Sequence, residues 1–197
     1  MAQGKQAKVL SDKQQSAVLH YLEESRYPIR NKTIFLLSMK AGLRAKEIAS
    51  LRWRNVCDVS GEISDEIQIE DVGSKGKGGR TIPLNPALRE ALVEYQKETE
   101  YPQSDRFLVQ SERSGGSGVA AQTIVSLFQR WFADLSMDGA SSHSGRRTFI
   151  TNAAKKISTV GGSLRDIQQL AGHSSLQTTQ RYIEGSTEAK KAIVRLV

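Results

Sequence analysis

Apolar residues recur every three to four positions along the N-terminal part of the chain, a spacing typical of amphipathic helices. Ser11 and Asp12 could cap the first of these helices, and Pro28 is expected to interrupt the chain before the second. Gly42 follows the last apolar residue of the second helix, where glycine typically ends a helix. The pattern predicts the second helix over residues 31–39 and the third over residues 45–51.

Further along, apolar residues fall at every second position, as Ile67 and Ile69 do, and this alternation is typical of a half-buried strand. A glycine-rich, basic stretch follows, after which the extended pattern resumes. Pro83 is expected at a sheet edge or a strand end because it cannot donate a backbone hydrogen bond. The prediction is a β-hairpin with strands over residues 62–72 and 80–84 and a basic turn over residues 73–79.

Helical spacing returns after the hairpin, beginning with Asn85 as a predicted N-cap and Pro86 in the first turn. Residues 107–109 are apolar and could form a third strand, and residues 111–118 are rich in serine and glycine, as in a surface loop. The remaining predicted helices cover residues 122–135, residues 144–156, a short segment ending at Gly172, a segment carrying Tyr182, and the tail over residues 186–197. No linker or repeat divides the chain, so a single domain over residues 1–197 is expected, mainly α-helical and of the α+β class.

Charge and composition narrow the class of protein. The 28 basic and 21 acidic residues give a net charge of +7, and residues 73–80 and 143–156 carry basic residues with no acid, which favours a polyanionic partner such as nucleic acid. Cys57 is the only cysteine and is expected to be a small buried residue, while the three histidines have no cysteine companions of the kind found in zinc sites. No apolar run approaches the roughly 18 residues of a membrane helix, so a cytoplasmic protein is expected.

Three polar segments suggest a chemistry: residues 41–48, residues 143–147 and residues 170–182. Each has an ordinary structural explanation when taken alone, such as a solvated arginine or a histidine that bonds the backbone. Among their residues are two arginines, Arg44 and Arg146, together with two histidines and Tyr182. Phosphoryl transfer to a tyrosine needs a phenol, a base, fixed positive charge beside the phosphate and an acid for the leaving oxygen. With a lysine as that acid, such a set needs no metal and no cofactor.

The segments resemble the signature boxes of the tyrosine site-specific recombinases, also called phage-type integrases. Residues 42–48 match Gly-Leu-Arg-x-x-Glu-hydrophobic, and His143 with Arg146 matches His-x-x-Arg. Residues 170–173 match Leu-small-Gly-His, with Tyr182 placed nine residues after the histidine. The family also carries a lysine in a basic hairpin turn before an Arg-x-Ile-Pro-Leu strand. Lys75 and residues 80–84 fit that pattern, although Lys77 stays an alternative.

The resemblance implies the catalytic-domain fold of this family, with a small antiparallel β-hairpin on one edge, and a site-specific recombinase that cuts and rejoins DNA. Glu47 would orient this site by hydrogen bonding. Six residues would carry the reaction: Tyr182 as the nucleophile that forms a 3′-phosphotyrosyl link, Arg44 and Arg146 on the non-bridging oxygens, His143 as general base or proton relay, His173 as a hydrogen-bond donor to the phosphate, and Lys75 as the acid for the 5′-oxygen.

The chain departs from the family pattern in two respects. Gly145 and Arg147 stand where relatives usually have leucine and often histidine, and Gly145 is expected to loosen the start of the helix that places Arg146. About 40 residues precede Arg44, too few for the N-terminal DNA-clamping domain of many relatives, so the chain resembles single-domain members such as the fimbrial-type invertases, or a catalytic fragment.

By the same resemblance the partners would be double-stranded DNA, a homo-tetramer on two DNA sites and accessory DNA-binding proteins, in a bacterial or phage setting, with the protein associated with the nucleoid. The tail over residues 186–197 would either dock on a neighbouring protomer or pack on its own domain. Two other functions stay open. One is a non-catalytic DNA-binding regulator, against which the full polar set weighs. The other is a nicking-closing enzyme like the type IB topoisomerases, which shares this chemistry.

Overall fold

The computed structural model of the protein describes residues 6–70, 79–100, 103–111, 116–182 and 194. Its tertiary contacts divide the chain into two compact units, residues 1–149 and residues 150–197. Over the residues described, helices dominate and the sheet has two antiparallel strands, which confirms the predicted fold class. None of the helices described is long and apolar enough to cross a membrane.

Over its described residues, the first unit contains five helices, both strands and the beginning of a sixth helix. The helices are α1 (Asp12–Glu23), α2 (Pro28–Ala41), α3 (Ala45–Ser50), α4 (Pro86–Glu98), α5 (Ala121–Asp134) and the start of α6 (Ser144–Lys156), and the strands are β1 (Glu66–Ile69) and β2 (Arg80–Pro83). A 3₁₀ turn, Trp53–Asn55, follows α3.

Helix α2 lies at the centre of the first unit, packed against α1, α3 and α4. Most of its residues are buried, from Asn31 to Met39, so the helix shows apolar character on several sides rather than on one. Phe35 meets Phe128 of α5 with ring centroids 6.3 Å apart, and Phe128 in turn contacts Trp131 at 5.1 Å. This aromatic contact joins the centre of the unit to α5.

The prediction that Pro28 interrupts the chain before the second helix is wrong, because Pro28 is the first residue of α2. The N–H groups of the first residues of a helix have no hydrogen-bond acceptor within the helix, so a residue without an N–H is tolerated there. Proline's fixed φ also suits that position. Helix α2 therefore begins three residues before the predicted start. It ends at Gly42, as predicted, with the glycine in the left-handed conformation at φ 66°.

The hairpin forms with fewer residues in its first strand than predicted. Ile67 pairs with Ile82 and Ile69 with Arg80, and both members of the first pair are buried. Upstream of β1, Asp58 Oδ1 accepts hydrogen bonds from the N–H groups of Ser60 and Glu62, so Glu62 belongs to a tight turn and not to the strand. Pro83 ends β2, as predicted. Of the predicted basic turn over residues 73–79, residues 73–78 lie outside the described residues.

The third strand predicted over residues 107–109 is not formed in the described structure. Phe107 makes a single antiparallel bridge with Arg52, and Leu108 N–H donates to Leu51 O at 2.8 Å. Beyond the bridge the two segments are joined by backbone hydrogen bonds from Trp53 N–H to Arg106 O at 3.0 Å and from Arg54 N–H to Ser104 O at 2.8 Å, where the partner segment forms the 3₁₀ turn. Cys57, nearby, is half-buried rather than fully buried. Burial, with the carboxylates of Asp58 and Glu62, raises the pKa of the Cys57 thiol to about 11.

The second unit holds the remainder of α6, a 3₁₀ turn (Ile157–Val160), α7 (Leu164–Ala171) and α8 (Leu176–Gln180). Gly172 ends α7 at φ 60°, as predicted, and Ser175 caps α8 by accepting from Thr178 N–H. The prediction that the last of these helices carries Tyr182 is wrong, because α8 ends at Gln180 and Tyr182 lies in the turn after it. The predicted tail helix lies outside the described residues except for Val194.

Candidate active site

A tight reversal of the chain between α2 and α3 places Arg44. Gly42 adopts the left-handed conformation, and a Cβ atom at this position would lie 2.5 Å from Cδ1 of Phe149. Only glycine therefore fits both the backbone geometry and the contact. The chain then enters α3 with Arg44 as its N-cap residue in extended conformation.

Glu47, one turn into α3, accepts hydrogen bonds from two arginines. Its carboxylate receives Arg44 N–H at 2.7 Å and Arg44 Nη1 at 3.1 Å, and it receives Arg80 Nη1 at 2.9 Å. Arg80 is the first residue of β2 and pairs with Ile69. One carboxylate thus ties the arginine at the start of α3 to the base of the hairpin.

Arg80 is the residue that sequence reasoning missed as part of this cluster. The sequence pattern places Arg80 in the strand motif alone, although its position at the start of Arg-x-Ile-Pro-Leu is a signal that distinguishes it. Its side chain is 17% exposed, against 41% for Arg44, so Arg44 is the member of the pair that solvent or a ligand can reach.

These contacts favour the ionised form of the Glu47 carboxyl group. Burial by itself would raise the pKa of the Glu47 carboxyl, but the hydrogen bond from Arg80, the N–H of Arg44 and the charges of both guanidinium groups outweigh burial and lower it. Glu47 is therefore ionised at neutral pH. The three groups together carry a net positive charge, which suits a site for an anion.

Arg146 is buried, with 4% of its surface exposed, and its Nη1 donates to Gly42 O at 2.7 Å. The carbonyl that receives this bond lies two residues before Arg44, so both predicted arginines are fixed around the same reversal of the chain. A guanidinium group keeps its charge even when buried.

Gly145 does not loosen the start of α6, contrary to the expectation from the family pattern. It is buried, and a Cβ atom there would lie 2.2 Å from Ser38 Oγ and 2.8 Å from Ser38 Cβ. The glycine lets the beginning of α6 approach α2 more closely than any side chain would allow.

His143 is exposed and directly precedes α6. Its carbonyl accepts Arg147 N–H at 2.9 Å, and its own N–H donates to Ser141 Oγ at 3.3 Å. A cavity beside it is lined in part by the segment that precedes α1, including Lys8, whose N–H bonds Gly139 O at 3.1 Å. The histidine is thus fixed at its backbone while its ring remains accessible.

His173 and Tyr182 lie together in the second unit. Their rings are stacked, with centroids 5.5 Å apart and planes inclined by 21°. His173 is buried, and its Nδ1 lies 2.9 Å from Thr179 Oγ1. The backbone N–H of Tyr182 donates to Thr179 O at 3.0 Å, so the short helix α8 contacts both aromatic residues.

The predicted site residues are therefore distributed over both units. Arg44, His143 and Arg146 belong to the first unit, and His173 and Tyr182 to the second. Lys75 and Lys77 lie outside the described residues. In the parts of the chain that are described, no group of three His, Cys, Asp or Glu side chains is arranged to hold a metal ion.

The base of the segment that carries the two lysines is anchored. Glu70, the last described residue before that segment, accepts hydrogen bonds from Arg54 Nε and from Asn55 Nδ2, each at 3.3 Å. The hydrogen bonds from Arg54, then those from Asn55, lower the pKa of the Glu70 carboxyl. Together with the bond from Arg80 to Glu47, this contact fixes where both hairpin strands leave the described structure.

The sequence profile of the phage integrase family matches residues 8–188. The chain is 31% identical over 169 residues to tyrosine recombinase XerC of Brucella melitensis, covering 84% of this chain and 50% of the relative. It is 31% identical over 159 residues to tyrosine recombinase XerA of Thermococcus onnurineus, covering 81% of this chain and 52% of the relative. The chain thus spans about half the length of these curated relatives.

Solved structures share the fold. The crystal structure of XerA recombinase superposes with a TM-score of 0.72 at 23% identity, over 96% of this chain and 64% of that one. A Tn1549 transposon integrase in complex with a circular intermediate DNA gives a TM-score of 0.72 at 18% identity, over 99% of this chain and 67% of that one. Both likenesses extend over nearly the whole of the present chain.

Proposed function

Because the chain belongs to the phage integrase family, we propose that it is a site-specific DNA recombinase that cuts and rejoins duplex DNA through a 3′-phosphotyrosyl intermediate. The observation that carries the proposal is the stacking of Tyr182 on His173, which puts the candidate nucleophile beside a candidate phosphate ligand. The curated relatives are recombinases by name, and the Tn1549 integrase structure contains DNA.

Tyr182 Oη attacks the phosphorus of the scissile phosphodiester, and the bond from phosphorus to the 5′-oxygen breaks. Lys75, or alternatively Lys77, gives a proton to the departing 5′-oxygen, while His143 receives or relays the phenol proton. In the second step a 5′-hydroxyl of another strand attacks the phosphotyrosine and releases Tyr182. The number of phosphodiester bonds is unchanged at the end, so the reaction needs no ATP.

Positive charge stabilises the transition state, in which negative charge grows on the non-bridging oxygens. Arg44 and Arg146 serve this purpose, because guanidinium groups donate two parallel hydrogen bonds to a phosphate and stay charged. Their anchoring at Glu47 and at Gly42 O supports this role, since donors fixed before the reaction need no reorganisation during it.

The proposal extends to the partners and the setting of the protein. Double-stranded DNA is the substrate, and a homo-tetramer on two DNA sites is the working assembly, helped by accessory DNA-binding proteins. The protein would act in the cytoplasm at the nucleoid. The net charge of +7 supports binding to DNA, and the mobile-element origin named for the Tn1549 integrase fits this setting.

The test is the capture of the covalent intermediate. The protein is incubated with nicked duplexes taken from the DNA that flanks its gene, so that the strand released by cleavage diffuses away and the adduct accumulates. We expect a covalent protein–DNA adduct that is lost in Tyr182→Phe. Tyr21→Phe is the matched control, because Tyr21 bonds Asp134 on the surface and belongs to no predicted box.

Loss of the adduct in both tyrosine variants, or no adduct on any duplex to which the protein binds, would contradict the proposal. Exchange of markers between two sites then separates recombination from simple nicking and closing. A topoisomerase-like enzyme would relax supercoiled DNA without exchanging the markers.

A further inference from the structure

We propose that Thr148 is a positioning residue for His143, because its buried hydroxyl fastens the segment before α1, residues 6–10, to the turn that carries this histidine. The inference rests on the proposed function, in which His143 receives or relays the phenol proton. It assigns a role to a residue outside the six predicted for the site. Thr148 lies near the start of α6, with 1% of its surface exposed.

The hydrogen bonds of the Thr148 hydroxyl can run in one direction only. The backbone N–H of Leu10 is a donor and lies 2.9 Å from Thr148 Oγ1. The carbonyl oxygen of Ser144 is an acceptor and lies 2.7 Å from the same atom. The threonine oxygen therefore accepts from Leu10, while its own proton points to Ser144 O.

The segment before α1 is bonded on both sides of His143. Leu10 reaches Thr148, five positions after the histidine. Lys8 N–H donates to Gly139 O at 3.1 Å, four positions before the histidine. Because one bond lies on each side of His143, the segment holds both ends of the stretch that carries it.

Within that stretch, two serines close the turn. Ser144 Oγ accepts Ser141 N–H at 3.0 Å, and Ser144 N–H donates to Ser141 O at 2.8 Å. The N–H of His143 donates to Ser141 Oγ at 3.3 Å. These bonds fix the backbone of His143 relative to Ser144, whose carbonyl receives the Thr148 proton. A shift of Ser144 would therefore be passed on to His143.

The position of this turn matters for proton transfer. A general base acts only within hydrogen-bond reach of the proton that it takes, and a displacement of about 1 Å can cost roughly a hundredfold in rate. The side chain of His143 is exposed, so its reach depends on the backbone that carries it. Loss of the Thr148 hydroxyl would leave the N–H of the buried Leu10 without its acceptor and release the segment from the turn.

Thr33 provides a matched control. It is a fully buried threonine in α2 of the same unit, and its Oγ1 donates to Ile29 O at 2.9 Å. Its second acceptor is Ala91 O in α4, at 3.4 Å. Replacement of either threonine by valine removes one buried hydroxyl from a β-branched side chain. The change at Thr148 also removes the acceptor of Leu10 N–H.

The first measurement needs no DNA and is therefore independent of the proposed function. Exchange of backbone amide hydrogens is followed by NMR in the full chain. We expect the amide of Lys8 to exchange about tenfold faster in Thr148→Val than in the native protein, although its own acceptor, Gly139 O, is unchanged. This result would show that the segment is held as a unit. Thr148→Ser and Thr33→Val should keep the native exchange rate at Lys8.

The second measurement is the single-turnover rate of adduct formation on the nicked duplex at saturating DNA. We expect Thr148→Val to be slower than the native protein by about tenfold, and Thr148→Ser to restore the rate. Thr33→Val should match the native protein. Added to His143→Ala, the change Thr148→Val should cause no further loss, because a residue that acts through His143 has nothing left to position.

A second variant leaves Thr148 in place. Lys8→Pro removes the N–H that donates to Gly139 O, and since Lys8 is exposed no buried side chain is lost. Lys8→Ala, which keeps the N–H, is the reference for loss of the side chain. Relative to this reference, we expect Lys8→Pro to slow adduct formation and to cause no further loss when added to His143→Ala. Circular dichroism shows whether each variant is folded.

Three results would overturn the inference: native exchange at Lys8 in Thr148→Val, losses in Thr148→Val and His143→Ala that add in full, or a serine variant as slow as the valine variant. Full additivity would indicate a role in stability alone. Absence of an adduct in the native protein would instead count against the proposed function, and the exchange rates would still decide whether Thr148 anchors the segment before α1.

Discussion

The carboxylate of Glu47 accepts hydrogen bonds from two arginines, Arg44 and Arg80, whose side chains differ in exposure to solvent. Arg80 and Glu47 are equally buried, whereas Arg44 is more than twice as exposed. The contact with Arg80 is therefore less screened by water and holds the carboxylate in place. Arg44 can then bond this fixed acceptor through its backbone N–H and Nη1 and keep the rest of its guanidinium for a ligand.

Replacement of Glu47 by glutamine should destabilise the protein at neutral pH. The change keeps the shape of the side chain but removes the charge that compensates Arg80, and we expect a loss of roughly 1–3 kcal/mol in the free energy of unfolding. The pKa of Glu47 is lowered below its ordinary value of 4.5 in the folded protein, so its stabilising effect is complete above that pH. It should fade as the pH falls further and the wild-type carboxylate is protonated.

Denaturant titrations of the native protein and Glu47→Gln at pH 7 and at acid pH measure this effect. The difference between the two proteins should shrink at acid pH. Glu94→Gln is the control, because Glu94 pairs with Lys32 on the surface, where ion pairs contribute little. An equal loss in both variants, or a difference that does not change with pH, would contradict the assignment.

The choice between Lys75 and Lys77 can be decided by the chemistry of the leaving group. An alkoxide needs a proton as it departs, whereas a thiolate does not, because the pKa of a thiol is far lower than that of an alcohol. We expect Lys75→Ala to cleave an ordinary phosphodiester slowly and to regain its rate on DNA with sulfur at the 5′-bridging position. Lys77→Ala should cleave both substrates at similar rates. The reverse pattern would assign the acid to Lys77.

Among the elements, the start of α6 approaches α2 closely at Gly145. Arg146 follows Gly145 directly, so the approach of the helix start to Ser38 determines how far the guanidinium reaches toward Gly42 O. Ser38 Oγ is itself buried with no hydrogen-bond partner among the described residues. The small size of both residues at this crossing, rather than a polar contact, explains the fit.

Gly145→Ala should therefore destabilise the protein although alanine favours helices. The added methyl would overlap Ser38, and overpacking of this kind costs roughly 1–3 kcal/mol. Ser38→Gly removes both atoms nearest to the methyl, so the double variant should be more stable than the two single changes predict when added. Thermal and denaturant unfolding of the four proteins measures the coupling. Strict additivity would mean that the helices simply move apart.

The elements were predictable where a local rule decides them. Asn85 as a cap and the stop at Gly172 follow from capping and glycine geometry and are confirmed, and the predicted limits of α6 are confirmed as well. The start of α2 was missed because Pro28 either breaks or begins a helix, and only the neighbouring structure decides which. Arg80 was missed because its partner Glu47 lies 33 positions away in the sequence, where periodicity carries no information.

At the scale of the whole chain, the match to the family profile covers residues of both compact units. The phage integrase profile runs over residues 8–188, across the boundary between the two compact units. That boundary lies inside α6. The second unit, residues 150–197, is shorter than most domains that fold alone, which have at least about 50 residues. These facts favour the prediction of a single domain.

A single domain should unfold in one cooperative transition, and the positions of the tryptophans make this testable. Trp53 and Trp131 are the two tryptophans of the chain, and both belong to the first unit. Their fluorescence reports that unit alone, whereas far-UV circular dichroism reports the helices of both. We expect the two signals to change at the same denaturant concentration and with the same slope, since coincident transitions mark two-state unfolding. A dichroism change that precedes the fluorescence change would mean that residues 150–197 unfold separately. His173 and Tyr182 would then depend for their order on a less stable unit than Arg44 and Arg146 do.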